Sequence, residues 1–243
     1  MISIVIPAKD EAANISSLLT EICHALQDKS DFEVVVVDDG SSDNTYNQVL
    51  STAQQLGCDA KVIRHQNSIG QSTAIYTGVN HARGEYIVTM DADGQNDPAD
   101  IPAMLSLLPE IQKADFCIAG YRKIRKDTAW KRFQSRLANA VRDAMLHDGV
   151  PDTGCGLKLF PKATFMRLPY FDHMHRYIPA LVRRIGGEVH IVVVNHRDRQ
   201  QGESKYTAWN RMWVGIVDIL GVMWLNRRSK LASIAKTADS WSK

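Results

Sequence analysis

Two stretches of this chain place acidic residues directly after apolar runs. Val34-Val35-Val36-Val37 leads into Asp38-Asp39-Gly40, and Tyr86-Ile87-Val88-Thr89-Met90 leads into Asp91-Ala92-Asp93-Gly94-Gln95. A β-branched run that breaks into acids and glycine reads as a buried parallel strand delivering side chains to a crevice. Open α/β sheets bind ligands at that edge, beyond the carboxyl ends of their strands. On an extended segment Asp91 and Asp93 point to one side. Two hard carboxylate ligands so placed can share one divalent cation, with substrate phosphates completing its shell. An isolated Asp-x-Asp is more often a solvated acidic turn, but the second acidic strand end at Asp38-Asp39 argues against that here.

The elements that must position these residues alternate between strand and helix. Ile2–Ile6 is a short apolar strand, followed by a helix with Ile15, Leu18, Leu19, Ile22 and Leu26 on one face. Glu33–Asp38, Lys61–Arg64, Tyr86–Met90 and Asp115–Ala119 read as further strands. Helices open after Ser41-Ser42-Asp43, at Gly70-Gln71-Ser72 and at Asp97-Pro98. Repeated β-α-β units of this length imply a doubly wound, parallel sheet.

The second half reads differently. Trp130, Phe133, Leu137, Val141 and Ala144 form an apolar helical stripe flanked by Lys131, Arg132, Arg136 and Arg142. A glycine-rich loop, Asp152-Thr153-Gly154-Cys155-Gly156, follows, and a strand at Val189–Val194 leads into Arg197–Tyr206. The helix Trp209–Leu225 carries Trp209, Met212, Trp213, Ile216, Ile219, Leu220 and Met223 on a wide apolar face, with Arg227-Arg228 just beyond. Such a helix either lies in a membrane interface, with its Trp rings at headgroup level, or packs on the domain or a second copy.

The 243 residues, 44% of them hydrophobic, suffice for a sizeable core. A net charge of +2 hides an asymmetry. Residues 1–120 hold 6 Lys/Arg against 17 Asp/Glu, and residues 121–243 hold 23 against 10. An acidic half suits a metal; a basic half suits anionic phosphates or an anionic membrane surface. Cys23, Cys58, Cys117 and Cys155 show no paired spacing and read as reduced thiols of a cytosolic protein. No stretch reaches the roughly 18 apolar residues of a spanning helix, and the amino terminus lacks a signal-like basic start. The expected location is therefore cytoplasmic, peripheral at the inner face of a membrane.

Three motifs carry a resemblance. Ile4-Val5-Ile6-Pro7-Ala8-Lys9-Asp10-Glu11-Ala12-Ala13-Asn14-Ile15, Val37-Asp38-Asp39-Gly40-Ser41-Ser42-Asp43 and Asp91-Ala92-Asp93-Gly94-Gln95-Asn96-Asp97-Pro98 resemble family 2 glycosyltransferases with the GT-A fold. Within that family the likeness is to dolichol-phosphate mannosyltransferase-like enzymes, which load a sugar onto a polyprenyl phosphate. It continues through Gly120-Tyr121-Arg122, the glycine-rich loop and Arg197–Tyr206, to about residue 228.

The resemblance implies a GT-A fold with a Rossmann-like, mostly parallel central sheet flanked by helices, and a C-terminal amphipathic helix. It divides the chain into a catalytic domain over 1–206, a helix over 207–228 and a polar tail over 229–243. Within the catalytic domain, 1–120 would be the nucleotide-sugar and metal half and 121–206 the acceptor half. Pro7, Ala8, Glu11, Asp39 and Asp91 would line the nucleotide-sugar pocket, with Asp39 on the base. Asp91, Asp93 and Gln95 would hold Mg²⁺ or Mn²⁺ against the donor diphosphate. Inversion by direct displacement is likewise implied. The family often has Leu where this chain has Gly94, a change expected to loosen the loop and leave the ligands intact.

A phosphate monoester acceptor is already ionised near neutral pH, so it needs cations rather than a general base. Arg122, Arg132, Arg136, Ser204 and Lys205 are the candidates for holding it, and Arg122 and Arg199 join Asp91, Asp93 and Gln95 as catalytic candidates. Asp152 either orders the glycine-rich loop or acts as a base toward a hydroxyl acceptor. His173 and His175 are spaced like strand metal ligands but lack a third partner, and Cys155 lacks a nearby His; neither receives a catalytic role. The expected partners are a nucleotide-diphosphate sugar, a polyprenyl phosphate and a membrane surface, helped by a second copy or a partner membrane protein, and no nucleic acid. Two other readings compete: a family 2 transferase acting on a hydroxyl of a glycan or lipid, and a non-catalytic nucleotide-sugar-binding module. No Gly-x-Gly-x-x-Gly follows the first strand, which argues against dinucleotide oxidoreductase chemistry.

Overall fold

Seven strands form one sheet in the order β3-β2-β1-β4-β6-β5-β7. The computed structural model describes residues 1–27, 30–123, 142–197 and 208–230, with the first six residues of the last helix described as backbone only. The strands are β1 Ile2–Ala8, β2 Phe32–Asp38, β3 Ala60–Arg64, β4 Tyr86–Thr89, β5 Phe116–Tyr121, β6 Lys158–Pro161 and β7 Glu188–Val193. The helices are α1 Ile15–Leu26, α2 Thr45–Leu56, α3 Gln71–His81, α4 Ile101–Leu105, α5 Lys162–Met166, α6 Ile178–Arg184 and α7 Ala208–Arg227.

β1 lies between β2 and β4 and is parallel to both, so their carboxyl ends open on one edge. β3 and β7 also join in parallel, whereas β6 runs antiparallel to both β4 and β5. The sheet is therefore mostly parallel, with one reversed strand in its interior that the alternation of motifs does not foretell. Lys158-Leu159-Phe160-Pro161 is only four residues long, opens on a lysine and shows no alternation. The short helices α5 and α6 were equally hidden.

Two apolar layers cover the sheet. On one face, Ile15, Leu18, Leu19, Ile22 and Leu26 of α1 are buried against Ile4, Ile6, Val34, Val36 and Val88. On the other, Ile75 and Val79 of α3 and Ile178, Leu181 and Val182 of α6 pack with Val5, Val35, Ile87 and Phe160. The even and odd residues of each strand thus feed opposite layers, as a sheet covered on both faces requires. Val222 of α7 is buried in the second layer, with Ile219, Met223 and Leu225 packed on it.

The outer side of α7 differs from the single wide apolar face expected of it. Val214, Ile216, Val217, Leu220 and Trp224 are exposed while Ile219, Val222 and Met223 face the protein. The helix is apolar on both sides, and its packed side corresponds to the first of the two expected uses, packing on the domain. Trp209, Met212 and Trp213 lie where side chains are not described.

Candidate active site

The loops after β1 and β2 are cross-tied. The backbone N–H groups of Asp10, Glu11 and Ala12 donate to Ser41 Oγ, Thr45 Oγ1 and Asp43 Oδ2 at 2.9, 2.9 and 3.0 Å. In return the Ser42 N–H donates to Asp10 Oδ1 at 2.7 Å. Asp10 is held at φ 54°, a left-handed conformation that this mutual tie sustains. Pro7, Ala8 and Glu11 are thereby fixed at the carboxyl edge, with the Glu11 carboxylate accepting from the Asn14 amide at 2.7 Å.

Asp39 is buried and already well supplied with donors. Its oxygens take His65 Nδ1 (2.8 Å), Ser68 Oγ (2.8 Å) and the backbone N–H groups of Ile69 (3.0 Å) and Gly70 (2.9 Å). Burial works against the charge, but these hydrogen bonds prevail and hold the carboxyl below its ordinary value. The structure therefore shows Asp39 organising the 65–70 loop, which leads into α3.

The acidic pair arises differently from the alternation argument. β4 ends at Thr89, and Asp91–Gly94 is a turn rather than an extended segment. Its conformation is set by Gln95 N–H donating to Asp93 Oδ1 (3.1 Å), by Asn96 Oδ1 accepting from the Asp91 N–H (3.1 Å), and by Gly94 at φ +74°. That left-handed bend favours glycine, so Gly94 suits the loop rather than merely loosening it. The two carboxylates remain close enough to interact. Burial, reinforced by the Asp93 charge, pushes the Asp91 carboxyl up to about 6, against the pull of Lys158, Arg122 and the Gln71 amide.

The surroundings of Asp91 contain the residues that motif reading missed. Gln71, the first residue of α3, donates from Nε2 to Asp91 Oδ1 at 2.8 Å. Gly156 lies so close that a Cβ there would stand 2.2 Å from Asp91 Oδ2. Asp91 shares a cleft with Pro7, Gln71, Thr89, Gly156, Lys158 and His175. Lys158 is 3% exposed and donates to the Cys155 carbonyl. His175 contacts Ser72 Oγ through Nδ1 at 2.8 Å; burial first, then the charges of Arg176 and Lys158, hold it well below its ordinary range, so its ring is neutral. The only sequence signals for these were position: Gln71 at a helix start, and Lys158 and Gly156 beside the glycine-rich loop.

In the half expected to hold the acceptor, Arg122 follows β5 and grips Asp152 with both edges of a fork, Nε to Oδ2 at 2.6 Å and Nη2 to Oδ1 at 2.9 Å. Both side chains are largely buried. The fork ties the Asp152 loop to the end of β5. A second buried pair, Arg142–Asp148 (3.1 Å), braces the same loop, with Arg142 also donating to Thr153 Oγ1 and the Val150 carbonyl. Beyond β7, Arg197 pairs with Glu21 and with Asp97 (2.7 Å), and its N–H donates to the Gln95 carbonyl at 3.1 Å. The stretch entering the predicted Arg199–Lys205 segment is therefore tied to the loop that carries Asp91, Asp93 and Gln95. Arg132, Arg136, Arg199, Ser204 and Lys205 themselves lie outside the described residues.

The donor chemistry fits a hard divalent cation such as Mg²⁺ or Mn²⁺. Asp91 and Asp93 supply hard oxygens, and no group of three or more His, Cys, Asp or Glu suited to a metal occurs among the described residues. A pair of carboxylates plus substrate phosphates is how Mg²⁺-type sites are commonly completed. The Gln95 side chain makes no described contact that tests its share.

An α/β sheet of this order, with acids at the carboxyl ends of its central strands, is that of a GT-A fold. The overall likeness to solved structures agrees. A mannosyltransferase from Pyrobaculum calidifontis, solved with GDP-Man and Mn²⁺, superimposes at TM-score 0.70 with 20% identity, over 95% of this chain and 65% of that one. Glucosyl-3-phosphoglycerate synthase from Mycobacterium tuberculosis, solved with Mn²⁺, UDP-Glc and phosphoglyceric acid, does so at 0.67 with 15% identity, over 100% and 85%. Residues 3–168 match the model of glycosyl transferase family 2, and the chain belongs to that family. Among curated relatives, dodecaprenyl-phosphate galacturonate synthase of Rhizobium johnstonii is 33% identical over 93% of this chain and 67% of its own length. Undecaprenyl-phosphate 4-deoxy-4-formamido-L-arabinose transferase of Pseudomonas paraeruginosa is 32% identical over 86% and 61%. The chain spans about two thirds or less of the length of these relatives.

Proposed function

We propose that this chain is a glycosyltransferase that moves a sugar from a nucleotide-diphosphate donor to a polyprenyl phosphate, with a divalent cation held by Asp91 and Asp93 and assisted by Gln95. The observation that carries the acceptor assignment is the Arg122–Asp152 fork. Asp152 is the carboxylate that the sequence offers as a base toward a hydroxyl acceptor, and both its oxygens accept guanidinium hydrogens. A hydroxyl acceptor needs a base free to take its proton, whereas an ionised phosphate needs only positioning. Two relatives named for polyprenyl-phosphate sugar transfer support the same choice.

The roles of the chain's own residues follow from their places. Pro7, Ala8 and Glu11 shape the nucleotide pocket on the cross-tied loops. Asp39 meets a base N–H where the Ser68 hydroxyl now donates. When bound, the divalent ion supplies Lewis-acid stabilisation of the departing nucleoside diphosphate. Gln71 and Gly156 fix the orientation of Asp91. Arg122, held rigid by Asp152, presents its remaining donors toward the acceptor phosphate, with Arg132, Arg136, Arg199, Ser204 and Lys205 as the further cations and donor. Displacement by the phosphate oxygen at the anomeric carbon inverts its configuration. Residues 1–206 act as the catalytic unit.

Membrane contact is peripheral, at the cytoplasmic face, through the outer side of α7. No helix among the described residues is long and apolar enough to cross a membrane. Val217 (66% exposed) and Trp224 (58%) lie on that side, with Arg228 stacked over the Trp224 ring at 5.9 Å. An aromatic beside arginines suits an anionic headgroup layer. The decisive experiment incubates the protein with undecaprenyl phosphate vesicles, Mn²⁺ and labelled uridine and guanosine diphosphate sugars. Label extracted into organic solvent with one donor is the expected result; none with any donor refutes the assignment.

A further inference from the structure

Lys158 stands out as a charge without an obvious purpose. Its side chain is buried in the middle of the sheet, on the reversed strand β6, opposite Thr89 of β4. Its one hydrogen bond among the described residues goes to the neutral Cys155 carbonyl, and no carboxylate there comes within ion-pair distance. Burying an ammonium without a paired anion is costly, and an apolar residue of similar size would usually serve a core strand better. Yet Lys158 faces the same cleft as Asp91, and its charge is felt by Asp91 and by His175. His175 is held toward its neutral form, so Lys158 is the positive charge lining the cleft beside Asp91, with Arg122 acting on Asp91 from outside it.

We propose that Lys158 is a positioning residue that biases the donor site against the free metal ion and toward the nucleoside diphosphate, so that the ion enters chiefly together with the nucleotide. This deepens the assignment of Asp91 and Asp93 as the donor site and rests on it. With two carboxylates and one ammonium, the site is only weakly attractive to a divalent cation alone. The same ammonium attracts a nucleoside diphosphate, whose phosphates bring the negative charge that the cation lacks. Lys158 thus opposes the free ion and favours the anion, while its effect on the neutralised ion–diphosphate pair largely cancels. By holding the Cys155 carbonyl it also keeps Gly156 against the Asp91 carboxylate.

The test measures binding, not turnover. Lys158→Gln keeps a donor for the Cys155 carbonyl and removes the charge; Lys158→Met serves if that variant fails to fold. Mn²⁺ binding is followed by electron paramagnetic resonance, and uridine and guanosine diphosphate binding by calorimetry without metal. Loss of one nearby charge should tighten Mn²⁺ alone about tenfold and weaken the nucleoside diphosphate about tenfold. Lys158→Arg should behave like the parent. Shifts of the same sign would mean a merely structural role, and no shift would mean that the charge reaches neither ligand; either overturns the proposal. If the parent protein bound neither ligand, the donor-site assignment itself would fail, which is a different result.

Discussion

Gly156 and Asp91 approach so closely that no side chain fits between them. A Cβ on Gly156 would lie 2.2 Å from Asp91 Oδ2 and 2.4 Å from its Cγ. The obstructing atoms are the end of a side chain, not backbone, so the fold can yield by turning the carboxylate away. Gly156→Ala should therefore leave the melting temperature nearly unchanged while displacing a metal ligand. A misplacement of about 1 Å at a reacting centre costs on the order of 10²-fold in rate. Circular dichroism melts beside transfer assays check this; a large loss of stability with proportionate loss of activity would contradict it.

The Arg122–Asp152 fork permits a separation of stability from function. Removing one member leaves a buried charge unpaired, and Arg122→Met or Asp152→Leu should each destabilise by about 3–5 kcal/mol. The double variant Arg122→Met/Asp152→Leu should regain most of that loss, because a buried pair can be replaced by apolar residues of similar volume. Transfer activity should stay lost in the two variants without Arg122, since the cation proposed to face the acceptor is gone from them, and should fall in Asp152→Leu, where that cation is no longer held in its fork. Recovery of activity in the double variant would show that Arg122 serves the loop alone.

How the sequence carried this site, and where it did not, follows from what each residue depends on. Asp91, Asp93 and Asp39 were legible because strand ends are local: an apolar run followed by acids marks the place. The mechanism for pairing Asp91 with Asp93 was misread, since the turn at Gly94, not strand alternation, brings them together. Lys158 and Gln71 were invisible because their places come from partners distant in sequence, Thr89 of β4 for Lys158, 69 residues away, and Asp91 for Gln71, 20 residues away. Arg142, counted only as a basic flank, is 4% exposed and braces the Asp152 loop. The buried face of α7 was legible in part, because its apolar residues encircle the helix and leave no periodicity to choose a side.

Acid should unfold the protein partly through Glu33, on β2 far from the donor site. Its Oε1 accepts from Ser3 Oγ (2.7 Å) and its Oε2 from Arg83 Nε (2.9 Å), and it is 1% exposed. Burial raises its pKa, but the Ser3 and Arg83 hydrogen bonds outweigh that and hold it below the ordinary 4.5. A carboxyl with a depressed folded pKa contributes stability above its unfolded value, and that contribution is lost as pH falls through the folded one. Glu33→Gln should thus cost about 1–3 kcal/mol at neutral pH, or several degrees of melting temperature for a chain this size. Below about pH 4.5 the melting curves of the parent and Glu33→Gln should converge. Parallel curves down to strong acid would refute the assignment.

The outer side of α7 offers the sharpest test of membrane contact. Val217 and Trp224 project away from the protein while Val222, on the opposite side, is 1% exposed in the core. Substituting the outer pair therefore leaves the packing side intact. Each fully inserted apolar side chain contributes about 1.5–3 kcal/mol to transfer out of water, and replacing Val217 by Asp adds repulsion from anionic headgroups. Val217→Asp/Trp224→Ser should bind vesicles containing phosphatidylglycerol at least about tenfold more weakly in flotation. Its melting temperature, and its activity on a water-soluble short-chain prenyl phosphate, should match the parent. Undiminished flotation would assign that side of α7 to a protein partner or to a second copy, and size-exclusion chromatography with light scattering on the same pair of proteins would identify which.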